Sequence, residues 1–203
     1  MVHVLLYVPN LIGYARVALL FVTYYYALTN WKLAVGCYVA SFAGDLFDGY
    51  FARLLNQSST FGGVLDMVTD RAATAGLLTI CGALYPGYLA VFLLLQGLDL
   101  SSHWFHMYST CTDGAHHKSA AALEKRNFVL RAYYGSYPLF AYMCVGAELT
   151  YVALYVHHFW PHPLVFWLGT AGCLPACVMK NVVNVAQFCS AALALADRDA
   201  KKP

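Results

Sequence analysis

Four of the ten acidic residues in this 203-residue chain, Asp45, Asp48, Asp66 and Asp70, fall within one short window. The sequence around them is strongly apolar, and a carboxylate at membrane depth costs on the order of 2.5–3.5 kcal/mol on insertion scales. Such a cluster needs a chemical reason. At about 100° per residue, Asp45, Asp48, Gly49, Ala52 and Arg53 share a helical stripe roughly 140° wide. Gly49 and Ala52 are its smallest side chains and leave room for a ligand to approach the backbone. Gly62, Asp66 and Asp70 follow i, i+4, i+8 spacing and span about 80° of a second helix. Two such helices would aim four carboxylates and one guanidinium into a single pocket. Acids three apart are also the usual makings of a solvated helix face, but here four like charges repel with only Arg53 and Arg71 nearby. An all-oxygen donor set suits Mg²⁺ or Mn²⁺ rather than Zn²⁺. The four acids and Arg53 leave three net negative charges, which two divalent ions would convert to one net positive charge. That balance suits an anionic diphosphate.

The elements that must hold these residues are apolar helices. The chain is 61% hydrophobic and 11% charged, with a mean hydropathy of +0.57, which predicts a one-domain integral membrane protein over 1–203. Residues 1–9 read as a short interfacial segment closed by Pro9, and 196–203 as a polar cytoplasmic tail. Six stretches reach spanning length: Leu11–Leu28, Trp31–Arg53, Phe61–Leu84, Tyr88–Tyr108, Val129–Val156 and Leu164–Leu195. The breaks carry turn signals at Thr29-Asn30, Asn56–Thr60, Pro86-Gly87, Asp113–Asn127 and Pro161 with Pro163. Three of these connections contain only Lys32, whereas the opposite side gathers Arg53, Lys118, Lys125, Arg126, Arg198, Lys201 and Lys202. By the positive-inside rule that side is cytoplasmic, so the acidic pocket is expected to open there. The seven cysteines form no C-x-x-C pair and read as small buried hydrophobes. A net charge of +2 gives no reason to expect nucleic acid.

Other polar residues stand in apolar surroundings. Arg16 falls at the cytoplasmic start of the first span, where snorkelling to the interface is its plain reading. Asp99, His103 and His106 could mimic a metal triad, but an Asp–His pair rigidifying the fourth span is the expected arrangement. Arg131 and Lys180 are cations near or within apolar spans, where such residues normally face the bundle interior or a water-filled cavity. Glu148 is an acid within the fifth span.

The spacing D-x2-D-G-x2-A-R-x8-G-x3-D-x3-D, from Asp45 to Asp70, resembles at all its fixed positions the signature of the CDP-alcohol phosphatidyltransferase family. Four further stretches, Val8–Arg16, Leu65–Arg71, Leu98–Trp104 and Leu130–Tyr134, resemble the eukaryotic members that use inositol as acceptor. The resemblance covers nearly the whole chain. It implies an all-α fold of six transmembrane helices, located in the endoplasmic reticulum and assembled as a homodimer. The implied reaction moves the phosphatidyl group of CDP-diacylglycerol to myo-inositol, releasing CMP, by two-metal-assisted direct attack. Asp45, Asp48, Asp66 and Asp70 would be metal ligands, with Asp70 also the general base. Gly49, Arg53, Ser59 and Asn10 would contact CDP-diacylglycerol. Arg131, Lys180, Asp99 and Lys118 are the candidates for donors and acceptors around the inositol hydroxyls. The same chemistry on another acceptor, such as glycerol 3-phosphate, would need a cationic phosphate subsite. Intramembrane acids also mark ion pathways, but the inverted repeats and broken helices common in transporters are not apparent in the sequence.

Overall fold

The computed structural model describes residues 3–113 and 128–200, and every regular element among them is helical. Lys118 and most of the polar connection after the fourth span lie outside the described residues. The chain forms two compact units, residues 1–80 and 81–203.

The first unit holds a 3₁₀ turn at Val4–Leu6 and helices α1 (Val8–Tyr26), α2 (Trp31–Leu54) and most of α3 (Thr60–Leu84). Pro9 does not close the N-terminal segment as expected. It sits in the first turn of α1, where its missing N–H would have had no helical partner and its fixed φ suits the helix. Asn30 caps α2 by accepting from the Leu33 amide at 3.3 Å. After α2 the chain reverses through Asn56, at φ 52°, the one non-glycine with positive φ among the described residues. Asparagine tolerates that left-handed conformation better than most side chains. Ser59 then accepts from the Gly62 amide at 3.0 Å and satisfies one of the orphan donors at the start of α3. Higher up, Gly76 lies against the ring of Tyr24, whose hydroxyl donates to the Ala72 carbonyl at 2.7 Å. The absence of a side chain at Gly76 is what lets the tyrosine from α1 reach that backbone.

The second unit follows a 3₁₀ turn at Pro86–Tyr88 with α4 (Leu89–Asp113), α5 (Phe128–Gly135), α6 (Tyr137–Phe159), α7 (Pro163–Trp167) and α8 (Leu174–Asp199). The expected span Val129–Val156 is two helices, α5 and α6. Ser136 between them is extended, at φ −126° and ψ 103°, and Pro138 occupies the first turn of α6. A proline there cannot continue a helix arriving from the N-terminal side. A π-helical stretch, Leu168–Cys173, joins α7 to α8. Pro175 follows it, and a proline in a continuous α-helix would collide with the carbonyl four residues back, so the widened turns accommodate it. Small residues set the packing of α6 on this segment. Gly146 meets the methyl of Ala176, and a Cβ at Gly169 would lie 2.5 Å from that of Ala153.

The outer surface is apolar: Phe21 is 69% exposed, Leu46 66%, Leu94 73% and Leu193 66%. Apolar patches on this scale demand lipid or protein cover, and helices satisfy their own backbone groups in lipid. The chain is a membrane protein. Tyr137–Phe159 and Pro163–Asp199 are long and apolar enough to cross a membrane by length and composition. Helices α1 to α4, at 19, 24, 25 and 25 residues, are also long enough, but tyrosine, histidine and charged side chains dilute their hydropathy.

Candidate active site

The four motif carboxylates converge, and they converge on Arg16. One guanidinium nitrogen lies 2.7 Å from Asp48, 2.8 Å from Asp66 and 3.2 Å from Asp45. The other terminal nitrogen lies 2.5 Å from Asp70. Arg16 is only 3% exposed, so it does not snorkel to the interface. It lies on the inner face of α1, with Asn10, Gly13, Leu20 and Thr23 among the buried residues of that face. Its position is built by α2. Arg16 Nε donates to the Ser41 carbonyl and the Ser41 hydroxyl donates to the Arg16 carbonyl, both at 3.2 Å. A Cβ at Gly44 would stand 2.8 Å from Arg16 Cγ, so glycine there gives the arginine stem its passage.

Asp45, Asp48 and Asp66 each offer an oxygen within 4.8 Å of the others. Asp70 stands one turn further along α3, between Arg16 and Arg71, the latter 3.9 Å away. Hard oxygen ligands from two helices, already gathered around one positive centre, fit a divalent cation of the Mg²⁺ class. Such an ion supplies Lewis-acid polarisation of a phosphoryl oxygen and stabilises a phosphate leaving group.

Beside the carboxylates is a cavity of about 200 Å³, lined among others by Asn10, Asp48, Gly49, Ser59, Gly62 and Asp66. Its glycines differ in purpose. A Cβ at Gly62 would lie 2.8 Å from Asn10 Oδ1 and 3.1 Å from Ser59 Oγ, so Gly62 is needed for the protein's own packing. A Cβ at Gly49 would meet nothing closer than the Arg53 guanidinium at 3.6 Å, an ordinary contact. The space over Gly49 is therefore left for something else. Arg53 is exposed and makes no ion pair among the described residues, in contrast to Arg16. Asn10 is 1% exposed and its amide nitrogen donates to the Val4 carbonyl at 2.6 Å. Its Oδ1 is buried without a hydrogen-bond partner among the described residues. A buried unpaired acceptor costs about 1–3 kcal/mol, which a ligand donor would recover.

In the second unit Lys180 and Asp99 belong to one buried chain. Lys180 Nζ donates to Asn184 Oδ1 at 2.8 Å, and Asn184 Nδ2 donates to Asp99 Oδ1 at 3.2 Å. The ammonium also lies 5.4 Å from the centre of the Tyr133 ring. His103 Nδ1 stands 2.8 Å from the Asp99 carbonyl and 3.6 Å from its carboxylate, while His106 stacks on Tyr134. These residues form a polar brace between α4 and α8 rather than a metal triad. Arg131 is exposed on α5.

Two contributors escaped sequence reasoning. Arg16 had a signal, since Asn10, Gly13 and Arg16 recur every three residues and Thr23 follows two turns later, on an otherwise apolar helix. A polar stripe of that period faces inward. Asn184 also had one, as Lys180, Asn184 and Gln187 share a face of α8, and all three are buried.

A motif of this spacing, around this geometry, defines a class. The chain belongs to the CDP-alcohol phosphatidyltransferase family, a family of divalent-metal-dependent enzymes whose model matches residues 6–174. Its relatives are more particular. It is 38% identical to the CDP-diacylglycerol–inositol 3-phosphatidyltransferase of Schizosaccharomyces pombe, over 98% of this chain and 93% of the relative. The Homo sapiens protein of the same name is 38% identical, over 98% and 95%, and that of Saccharomyces cerevisiae 39%, over 98% and 90%. No solved structure matches the chain.

Proposed function

We propose that the protein transfers the phosphatidyl group of CDP-diacylglycerol to myo-inositol, giving phosphatidylinositol and CMP. The observation that carries this reading is the carboxylate cluster beside an open glycine-floored cavity, in a chain similar along nearly its whole length to inositol phosphatidyltransferases. Asp45, Asp48, Asp66 and Asp70 are assigned to the metals, Mg²⁺ or Mn²⁺. Gly49 lets the diphosphate of the donor approach the α2 backbone. Arg53 engages its outer oxygens as a planar fork. Ser59 and Asn10 border the nucleotide, and the unpaired Asn10 Oδ1 is suited to accept from an N–H of the base.

In the transfer the inositol hydroxyl oxygen bonds to the lipid-side phosphorus, and the bond from that phosphorus to the CMP oxygen breaks. The hydroxyl proton passes to a carboxylate oxygen of Asp70, and CMP departs with the bond electrons. Among the described residues no Cys or His lines the cavity, and its two serines are engaged with backbone, Ser58 Oγ donating to the Ala52 carbonyl and Ser59 Oγ accepting from the Gly62 amide, which supports direct attack over a covalent enzyme intermediate. The directional contacts that inositol requires are assigned to Asp99, Lys180, Arg131 and Lys118. The chain acts as a single catalytic domain with six spans, the cytoplasmic side carrying Arg53 and Arg198, in the endoplasmic reticulum and as a homodimer.

The test is an acceptor screen on the purified protein with CDP-diacylglycerol fixed as donor. Myo-inositol should stimulate CMP release well above glycerol 3-phosphate, serine or choline. Stimulation by a different alcohol would move the reading to another acceptor, and no CMP release under any acceptor would end it.

A further inference from the structure

We propose that Arg16 is a built-in placeholder cation, which holds the four carboxylates together before divalent metal enters and yields their oxygens to it. The inference rests on these carboxylates being the metal ligands. An arginine usually meets one carboxylate through two parallel hydrogen bonds. Here one nitrogen lies within 3.2 Å of Asp45, Asp48 and Asp66 while the other takes Asp70. The arginine therefore stands as a charge centre surrounded by oxygen ligands, much as a metal ion would. Mg²⁺ binds oxygen at about 2.0–2.1 Å and demands near-octahedral geometry. Ligand oxygens drawn to that distance around an ion leave the places they hold around the guanidinium nitrogen, so arginine and metal compete for the same carboxylates.

The surroundings of Arg16 fit this role. Its Cγ and Cδ pass through the glycine notch at Gly44, its backbone carbonyl and Nε are tied to Ser41, and only the two terminal guanidinium nitrogens touch the acids. Without a cation in place, four partly buried carboxylates would repel one another and spread α2 from α3. With a permanent one, the metals would be shut out. A charge on a long side chain tethered to a third helix meets both demands, since its terminal nitrogens withdraw from the oxygens when an ion enters while the side chain stays at the site.

The probe is Mn²⁺ titrated into the full chain in lipid nanodiscs, with free Mn²⁺ read by its spin-resonance signal and the melting temperature followed in parallel. Wild type is measured first. Failure of wild type to bind Mn²⁺ would overturn the ligand assignment itself. Given binding, Arg16→Met should melt lower than wild type in chelator yet bind Mn²⁺ at least about tenfold more tightly, roughly 1.4 kcal/mol. Gly44→Ala should shift the arginine stem without removing its charge and tighten Mn²⁺ binding severalfold. If Arg16→Met does not stay folded in chelator, Gly44→Ala decides alone. Mn²⁺ binding that is unchanged or weaker in the deciding variant, with wild type binding normally, would overturn the placeholder role and leave the ligand assignment standing.

Discussion

Arg53 and Arg16 carry the same guanidinium to different work. Arg16 is consumed by the protein's own acids, whereas Arg53 stands exposed beside Gly49 without an internal ion pair among the described residues. Lysine would keep the charge of Arg53 but lose the fork that takes two phosphate oxygens. Arg53→Lys should raise the donor KM or lower turnover at least about tenfold, roughly 1.4 kcal/mol, with the inositol KM changed much less. Kinetics unaltered for both substrates would mean Arg53 only ends the helix. Asp70 is the second test at this scale. Asparagine keeps its shape and its place between Arg16 and Arg71 but cannot take a proton. Asp70→Asn should bring turnover down by about 10²-fold or more, while equilibrium binding of labelled CDP-diacylglycerol stays measurable. Retained turnover would remove Asp70 as the base.

Helix α3 begins where three separate requirements meet at Gly62: the Ser59 cap, the buried Asn10 side chain and the wall of the cavity. Gly62→Ala places a methyl against Asn10 Oδ1, and overpacking of this kind costs about 1–3 kcal/mol. The variant should melt lower than wild type and show a raised donor KM. A donor KM equal to that of wild type would separate Asn10 from the donor site. The acid stripes on α2 and α3 were legible in the sequence because helical spacing and charge are both local properties. The break between α5 and α6 had its marks in Ser136 and Pro138, yet a run of apolar residues on either side hid it within one spanning length. Arg16 was misplaced for a different reason. A lone arginine near a helix start reads as interfacial until the distant acids it serves are brought within hydrogen-bond reach, and that depends on the tertiary packing of α1 on α2. The Lys180–Asn184–Asp99 chain is likewise a product of pairing between α4 and α8, separated by 85 residues at its Asn184–Asp99 bond.

For the molecule as a whole, metal is expected to be a structural as well as a chemical partner. Ligands that bind only the folded state stabilise it by about 2.7 kcal/mol at a hundredfold excess over Kd. Removal of divalent metal with chelator should abolish CMP release and lower the melting temperature of wild type, and Asp48→Asn should shrink that shift. Full activity in excess chelator would rule out the metal assignment. The burial of Arg16 also bears on how the protein is made. It stands near the middle of the 19-residue α1, and the acids that answer it arrive on the ribosome about thirty residues later, on α2. A centrally placed arginine costs about 2.5–3.5 kcal/mol on entering the bilayer alone, so α1 is a poor candidate to partition by itself. Glycosylation-site reporters should show inefficient insertion of an isolated α1 segment, recovery when α2 follows it, and loss of that recovery when Asp45 and Asp48 are both changed to lysine. Efficient insertion of α1 alone would mean the arginine finds its acids only after entering the bilayer; dependence on α2 would make the first two helices a single unit of biogenesis, joined by charge before either has lipid around it.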